Sequence, residues 1–447
     1  MPSDYHDVAH LLRRAGFGGL PNEIAALTPL AWSDVVDEVL APKADPGGLP
    51  SAPNLHPYTS GWSERYTGMV WYWLERARRS PNVVREKMVL FWHGHLCSAI
   101  DKVYDHRHLF EQHVLFRNHG MGDYQTLLEA VSLQPAMLWY LDNWQNDVEE
   151  PNENFARELM ELFTLGAGNG YTEHDVRELA RAWTGHGLND RPQNENNPEV
   201  YQFHSDRHDY GNKTIFGDTR NWDGPATISH ILRGPRARLA AEFMVTKLWT
   251  FFAYPDPEAA VVDALADVWT ASDRNITEVL RALFNRPEFR SERARNGLVR
   301  SPIEYAVAIM RHLGLGCEDL NPQWTLSRMG QAPFNPPNVS GWRPNEYWIS
   351  PTAHWGRHSL ASGARWRIYN IEGGVKASLD SATSAEEAVD RALAQFGIDQ
   401  PTAATRNELI RFAEATQQPL EGGNPPRWSR TPGLILLTPL TPDFQLA

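Results

Sequence analysis

Apolar residues recur at three- and four-residue spacing along most of the chain. The recurrence predicts helices at 7–15, 21–26, 32–40, 66–79, 83–96, 123–131 and 152–165. It continues at 172–183, 225–232, 237–252, 257–271, 276–284, 302–313 and 385–396. Pro21, Pro257 and Pro302 stand where a first helical turn loses no needed N–H. Strand-like alternation is scarce, so the predicted fold is mainly α: a large multi-helical domain with long polar loops and few short strands. Two stretches break the pattern. Residues 189–224 are rich in Asn, Asp, Gly and Pro, with short strands expected at 200–204 and 213–216, and residues 330–351 carry Pro-Pro and Gly-Trp pairs. Both read as loop insertions in a main helical domain over 1–370. A weaker boundary near 363–374 leaves 371–447 as a helical C-terminal extension packed on it. The segments 280–289 and 434–444 both end in an X-Pro-acid-Phe stop, which is shared local chemistry rather than a repeat.

Composition narrows the function classes. The chain has 447 residues and a formal charge of −13, and a surplus of acids disfavours a nucleic-acid partner, which requires clustered Lys and Arg. Seventeen tryptophans are mostly assigned to the core. Cys97 and Cys317 alone write no disulfide framework. No apolar run is long enough for a membrane span, and the first residues lack a secretory pattern, so the expected location is cytoplasmic.

The densest chemistry lies in Pro151-Asn-Glu-Asn-Phe-Ala-Arg-Glu-Leu-Met-Glu-Leu-Phe-Thr-Leu-Gly166. Asn152 is the expected N-cap, with Glu153 in the first turn. Phe155, Ala156, Leu159, Met160, Leu162 and Phe163 cover one side, and Glu153, Asn154, Arg157, Glu158, Glu161 and Thr164 the other. Thr172 and Asp175 form the capping box of the next helix. The plain structural reading leaves Glu158 and Glu161 on a solvated face beside a locally paired Arg157. Histidines weigh against it: His93 and His95 end one apolar helix, and His208-Asp209 lies in the polar loop ahead of Lys213. Imidazoles with carboxylates suit zinc, manganese or iron, and carboxylates also magnesium.

Other marks are absent. There is no phosphate-binding glycine loop, no dinucleotide fingerprint and no Gly-x-Ser-x-Gly elbow, so no organic cofactor is indicated. Asp101, Lys102, Arg107 and His108 read either as ligand contacts or as a helix surface. The aromatic-rich run 333–342 with Tyr347-Trp348-Ile349 reads as a sugar or peptide platform or as a buried plug.

The segment Asn152–Gly166, with Tyr171-Thr-Glu-His-Asp-Val176 and Ala180-Arg-Ala-Trp-Thr-Gly185, resembles the signature of the bacterial domain of unknown function 1800 family. Supporting matches are His10-Leu-Leu-Arg-Arg-Ala-Gly-Phe-Gly18, Phe91-Trp-His-Gly-His95, Pro135-Ala-Met-Leu138 with Leu141-Asp-Asn143, and His208-Asp-Tyr-Gly-Asn-Lys-Thr214. Gly330-Gln331 through Pro336-Pro-Asn-Val-Ser-Gly-Trp342 and Pro442-Asp-Phe-Gln-Leu446 complete the pattern. The resemblance carries no agreed activity. It implies an envelope or extracellular substrate, such as a polymer, and a sulfatase-like partner, although this chain shows no export signal. The family motifs also select the site residues. His93, His95, Glu158, His208 and Asp209 are expected to hold a divalent metal, while Glu158 and Glu161, with Arg157 and Lys213, act on bound water and developing charge. The expected function is a metal-dependent, hydrolase-like enzyme. The alternatives are a non-catalytic binding or scaffold protein with a buried ion network and a non-haem iron redox enzyme.

Overall fold

The computed structural model describes residues 1–56, 59–189, 199–295, 297–371, 373–416 and 429–446. The fold is mainly α, and the chain groups into two compact units. Unit 1 comprises 1–87, 284–333 and 343–447, and unit 2 comprises 88–283 and 334–342.

Unit 1 is built around helix Pro302–Leu313. Ser301 and Glu304 form its capping box, Pro302 opens it and Gly314 at φ 68° closes it in the left-handed region. Ile303, Tyr305, Val307, Ile309 and Met310 are all fully buried, since helices Trp62–Arg79 and Pro351–Tyr369 cover this one from two sides. Helix Arg430–Leu437 packs on Pro351–Tyr369 and on Ala403–Ala415, so the chain's last helices share a unit with its first. Phe289 and Phe444, the aromatic ends of the two similar stops, are both buried core residues.

Helix Pro351–Tyr369 runs through the expected boundary at Gly363, and no apolar period announces it. Its buried face carries Ala353, Gly356, Ala361 and Ala364 with Arg357 and Arg365, and only Leu360 and Ile368 are large and apolar, so small and charged residues stand at most places where larger apolar ones signal a helix. Pro257 does not open a helix as expected. Asp256 is left-handed at φ 55°, Glu258 is the N-cap, and the helix runs Ala259–Ala271.

In unit 2, helix Ala237–Phe252 packs against Ala259–Ala271, and Glu153–Glu158 packs against Glu173–Ala182. Helix His106–His119, also unannounced, buries His106, His108, Gln112 and His113, polar side chains that interrupt the apolar count. Two antiparallel two-stranded sheets lie at the start of the polar loop and within it. Strand His186–Leu188 pairs with Tyr201–Phe203, and Lys213–Ile215 pairs with Asp218–Arg220. The second hairpin turns through Phe216 and Gly217 at φ 52° and 83°, the paired positive values of a tight two-residue turn. Residues 190–198 of that expected loop, and 417–428 of the expected extension, lie outside the described residues.

Cys97 and Cys317 are free and buried. Among the described residues no helix is long and apolar enough to cross a membrane.

Candidate functional site

The central motif folds as predicted at its start and differently at its end. Asn152 caps helix Glu153–Glu158 by accepting from the Asn154 amide at 2.9 Å. From Leu159 to Thr164 the helix widens into a π turn, in which the Leu165 amide donates to the Met160 carbonyl at 2.8 Å. The extra residue in the turn rotates the side chains beyond it. Thr164, expected on the polar side, is fully buried, and its hydroxyl donates to the Leu159 carbonyl at 2.6 Å. The Phe163 carbonyl accepts from Tyr124 Oη at 2.6 Å and lies 3.3 Å from His95 Nε2. A carbonyl only accepts, so Nε2 of His95 carries the proton. Burial, with the positive charge of Lys247, holds this imidazole well below its ordinary pKa and therefore neutral.

The expected metal and catalytic residues are divided by their partners. His93 points to another neighbourhood than His95: its Nε2 lies 3.0 Å from His113 Nδ1, Phe334 stands against its ring, and burial lowers its pKa to about 3. His208 Nδ1 donates to the Thr184 carbonyl at 2.8 Å. Burial would raise the Asp209 carboxyl, but bonds from Arg181 Nε at 2.7 Å and the Gly211 amide hold it below the usual range. Lys213 is fully buried and donates to the Asp209 carbonyl, to Asn221 Oδ1 at 3.0 Å and to the Trp222 carbonyl at 2.9 Å, so all three of its protons are used. Arg157 binds Glu173 through two bonds of 2.9 and 2.8 Å and Glu153 at 2.9 Å. Among the described residues no three His, Cys, Asp or Glu side chains are placed to hold a metal ion.

Glu158 and Glu161 are different. Both are half-buried, and no hydrogen bond or ion pair joins either carboxylate to a described residue. Burial and the charge of Glu161 raise the Glu158 pKa, with Arg157 opposing. Burial pushes the phenol of Tyr140, at the end of helix Pro135–Tyr140, upward, and the charges of Cys97, Asp101 and Glu158 add to the shift. Asn154 fastens this helix end by donating to the Leu141 carbonyl at 3.1 Å. From helix Ala237–Phe252, which packs on the π turn, comes Lys247, half-buried and likewise without an ion pair or hydrogen bond to a described residue. Burial lowers its pKa, against the opposing pull of Cys97.

Residues 10–446 match the model of the family described as Protein of unknown function (DUF1800). The chain belongs to the DUF1800 family. No curated protein matches it, and no solved structure does.

In this DUF1800 chain Glu158 holds its proton above the ordinary range, and Lys247, on the helix that packs on the π turn, releases its proton below it. Groups perturbed in opposite directions toward neutrality are suited to proton transfer. The Cys97 thiol is not a third reactive group, because burial raises its pKa to about 12 and it donates to the His93 carbonyl at 3.3 Å. Tyr140 and Lys247 were not singled out by the sequence. The available signal for Lys247 was one charged residue in the mostly apolar run Phe243-Met-Val-Thr-Lys-Leu-Trp249.

Proposed function

We propose that this chain is a hydrolase-like acid–base enzyme whose site is the Glu158 cluster of unit 2. Glu158, with its raised pKa, protonates the leaving group, and the Glu161 carboxylate takes a proton from attacking water. Lys247 stabilises the negative charge that develops, the role first expected of Arg157 and Lys213, whose donors are already engaged. Tyr140 hydrogen-bonds the substrate. The observation that carries this reading is the unpaired Glu158 and Glu161 pair. Two neighbouring half-buried carboxylates without a hydrogen bond or ion pair to a described residue disfavour the resting fold even with Arg157 nearby, and chemistry is a physical reason to keep them.

The scaffold reading is favoured by a separate observation, the saturated clamps of Arg157 with Glu153 and Glu173 and of Arg181 with Glu178 and Asp209. One experiment separates the two. Purified protein is assayed against nitrophenyl esters, glycosides, phosphates and sulfates, alongside Glu158→Gln and Glu161→Gln. Acid–base chemistry requires that each variant lose about 100-fold in turnover while keeping or gaining thermal stability. Turnover undiminished in both variants, or none with any substrate class, rejects the enzyme reading.

A further inference from the structure

Unit 1 contains a pocket of about 180 Å³ that is remote in sequence from every residue of the Glu158 cluster. That volume lies below the roughly 300 to 1,000 Å³ of pockets for drug-sized ligands, the scale of a small metabolite rather than of a polymer. The wall brings distant parts of the chain together: His6 and Arg13 from the first helix, Arg295 from Glu292–Arg295, Pro442 and Asp443 from the last helix, and Leu446 just beyond it.

The charges around it are unevenly satisfied. Asp399 is bonded by His6 Nδ1 at 2.7 Å and, loosely, by Arg13 Nη1 at 3.5 Å. Asp443 accepts from the Thr402 amide at 2.7 Å and from the hydroxyls of Thr402 and Thr405, which occupies both of its oxygens. Arg13 has one further bond, from Nη1 to the Gly397 carbonyl at 3.3 Å, so among the described residues its Nε and Nη2 protons have no partner. Arg295 donates from Nη2 to Asp7 at 2.6 Å and from Nε to the Arg290 carbonyl at 3.3 Å, which leaves Nη1 without a partner among the described residues. Glu292 is exposed at the rim, and its carboxylate has no partner among the described residues. What remains for a ligand is two guanidinium edges, one carboxylate, and apolar surface from Ile398 and Leu446.

A bare anion would meet three carboxylates here, and a bare cation would meet two guanidiniums. Only a ligand with both charges close together matches both sets. We propose that this pocket binds a small zwitterion of the free α-amino acid type, its carboxylate on Arg13 and Arg295, its ammonium at Glu292, and a short aliphatic side chain against Ile398 and Leu446.

The test is calorimetric titration of the full-length protein with L-valine, N-acetylvaline, acetate and isobutylamine, together with thermal shifts. Valine binds saturably at one site and raises Tm. N-acetylvaline and acetate, which lack the ammonium, and isobutylamine, which lacks the carboxylate, bind at least about tenfold more weakly. Glu292→Gln, an exposed substitution that leaves the fold intact, weakens valine by a similar factor and leaves acetate unchanged. Acetate or isobutylamine equal to valine, valine binding untouched by Glu292→Gln, or no binding of valine at millimolar concentration overturns the proposal.

Discussion

Tyr124 Oη donates to the Phe163 carbonyl at 2.6 Å, so a buried phenol holds the last turn of the π segment. Tyr124→Phe leaves that carbonyl with His95 alone, at 3.3 Å. The phenol also lies 3.1 Å from His95 Nε2, and losing both buried contacts destabilises unit 2 by about 1 to 3 kcal/mol in denaturant titration. Faster hydrogen exchange at the Leu165 amide localises the effect. An unchanged midpoint would show that the phenol contributes nothing to the π turn.

Removing the Glu161 charge by Glu161→Gln lowers the Glu158 pKa, because the like charge is among the causes that raise it. The linkage runs opposite to that of an ordinary salt-bridged carboxylate. A folded-state pKa above the unfolded value means that the fold binds the proton more tightly, so this group's contribution falls as pH rises from the unfolded pKa through the folded one. Glu158→Gln therefore raises Tm at neutral pH and flattens that part of the pH profile. Thermal scans from pH 4 to 8 check it, and a lower Tm for Glu158→Gln at neutral pH contradicts it.

Burial alone would lower the His108 pKa, but Glu111, Glu199 and Asp105 raise it to about 9, with Glu199 Oε2 at 2.8 Å from Nε2. Its contribution to stability is complete below the ordinary histidine pKa of 6.5 and is lost as pH rises through about 9. His108→Gln removes that alkaline loss of stability. NMR titration of the imidazole near pH 6.5 would refute the assignment.

In unit 1, Lys87 is ion-paired with Glu304, and Lys87 Nζ also donates to the Gly16 carbonyl at 3.0 Å. Burial alone would raise the Glu304 carboxyl, but Lys87 and the Ser301 amide hold it well below the usual range. That contribution is present above the unfolded pKa and lost as pH falls through the folded one. Glu304→Gln leaves a buried ammonium facing a weaker partner and destabilises by about 3 to 5 kcal/mol. The double variant Lys87→Met, Glu304→Gln recovers part of the loss, and a double variant no better than the single would refute the pairing argument.

Legibility in the sequence depended on which forces leave a local mark. Caps did: Asn152, and Thr172 with Asp175, lie where local hydrogen bonding dictates. Apolar period located Ala237–Phe252 and Pro302–Leu313 to the residue. Helices whose inner faces carry His108 and His113, or Gly356 and Arg357, left no such period, since their burial is decided by partners far away in the chain. The π turn was equally silent: nothing in Leu159–Thr164 distinguishes five-residue from four-residue hydrogen bonding, and the rotation it introduces is what sends Thr164 inward. Of the candidate site, Glu158 and Glu161 were visible as a motif. Tyr140, which feels the Glu158 charge, and Lys247, on the helix that packs on the π turn, come from two other helices, a tertiary fact with no local signature.

Lys213 gives the polar loop of unit 2 something that many such loops take from solution. Its ammonium sits among three oxygens, as a bound ion would, but it is tethered by its own side chain. Dilution cannot strip this cation and a chelator cannot compete for it, so the hairpin's order is inherited with the sequence and is independent of the ionic supply around it.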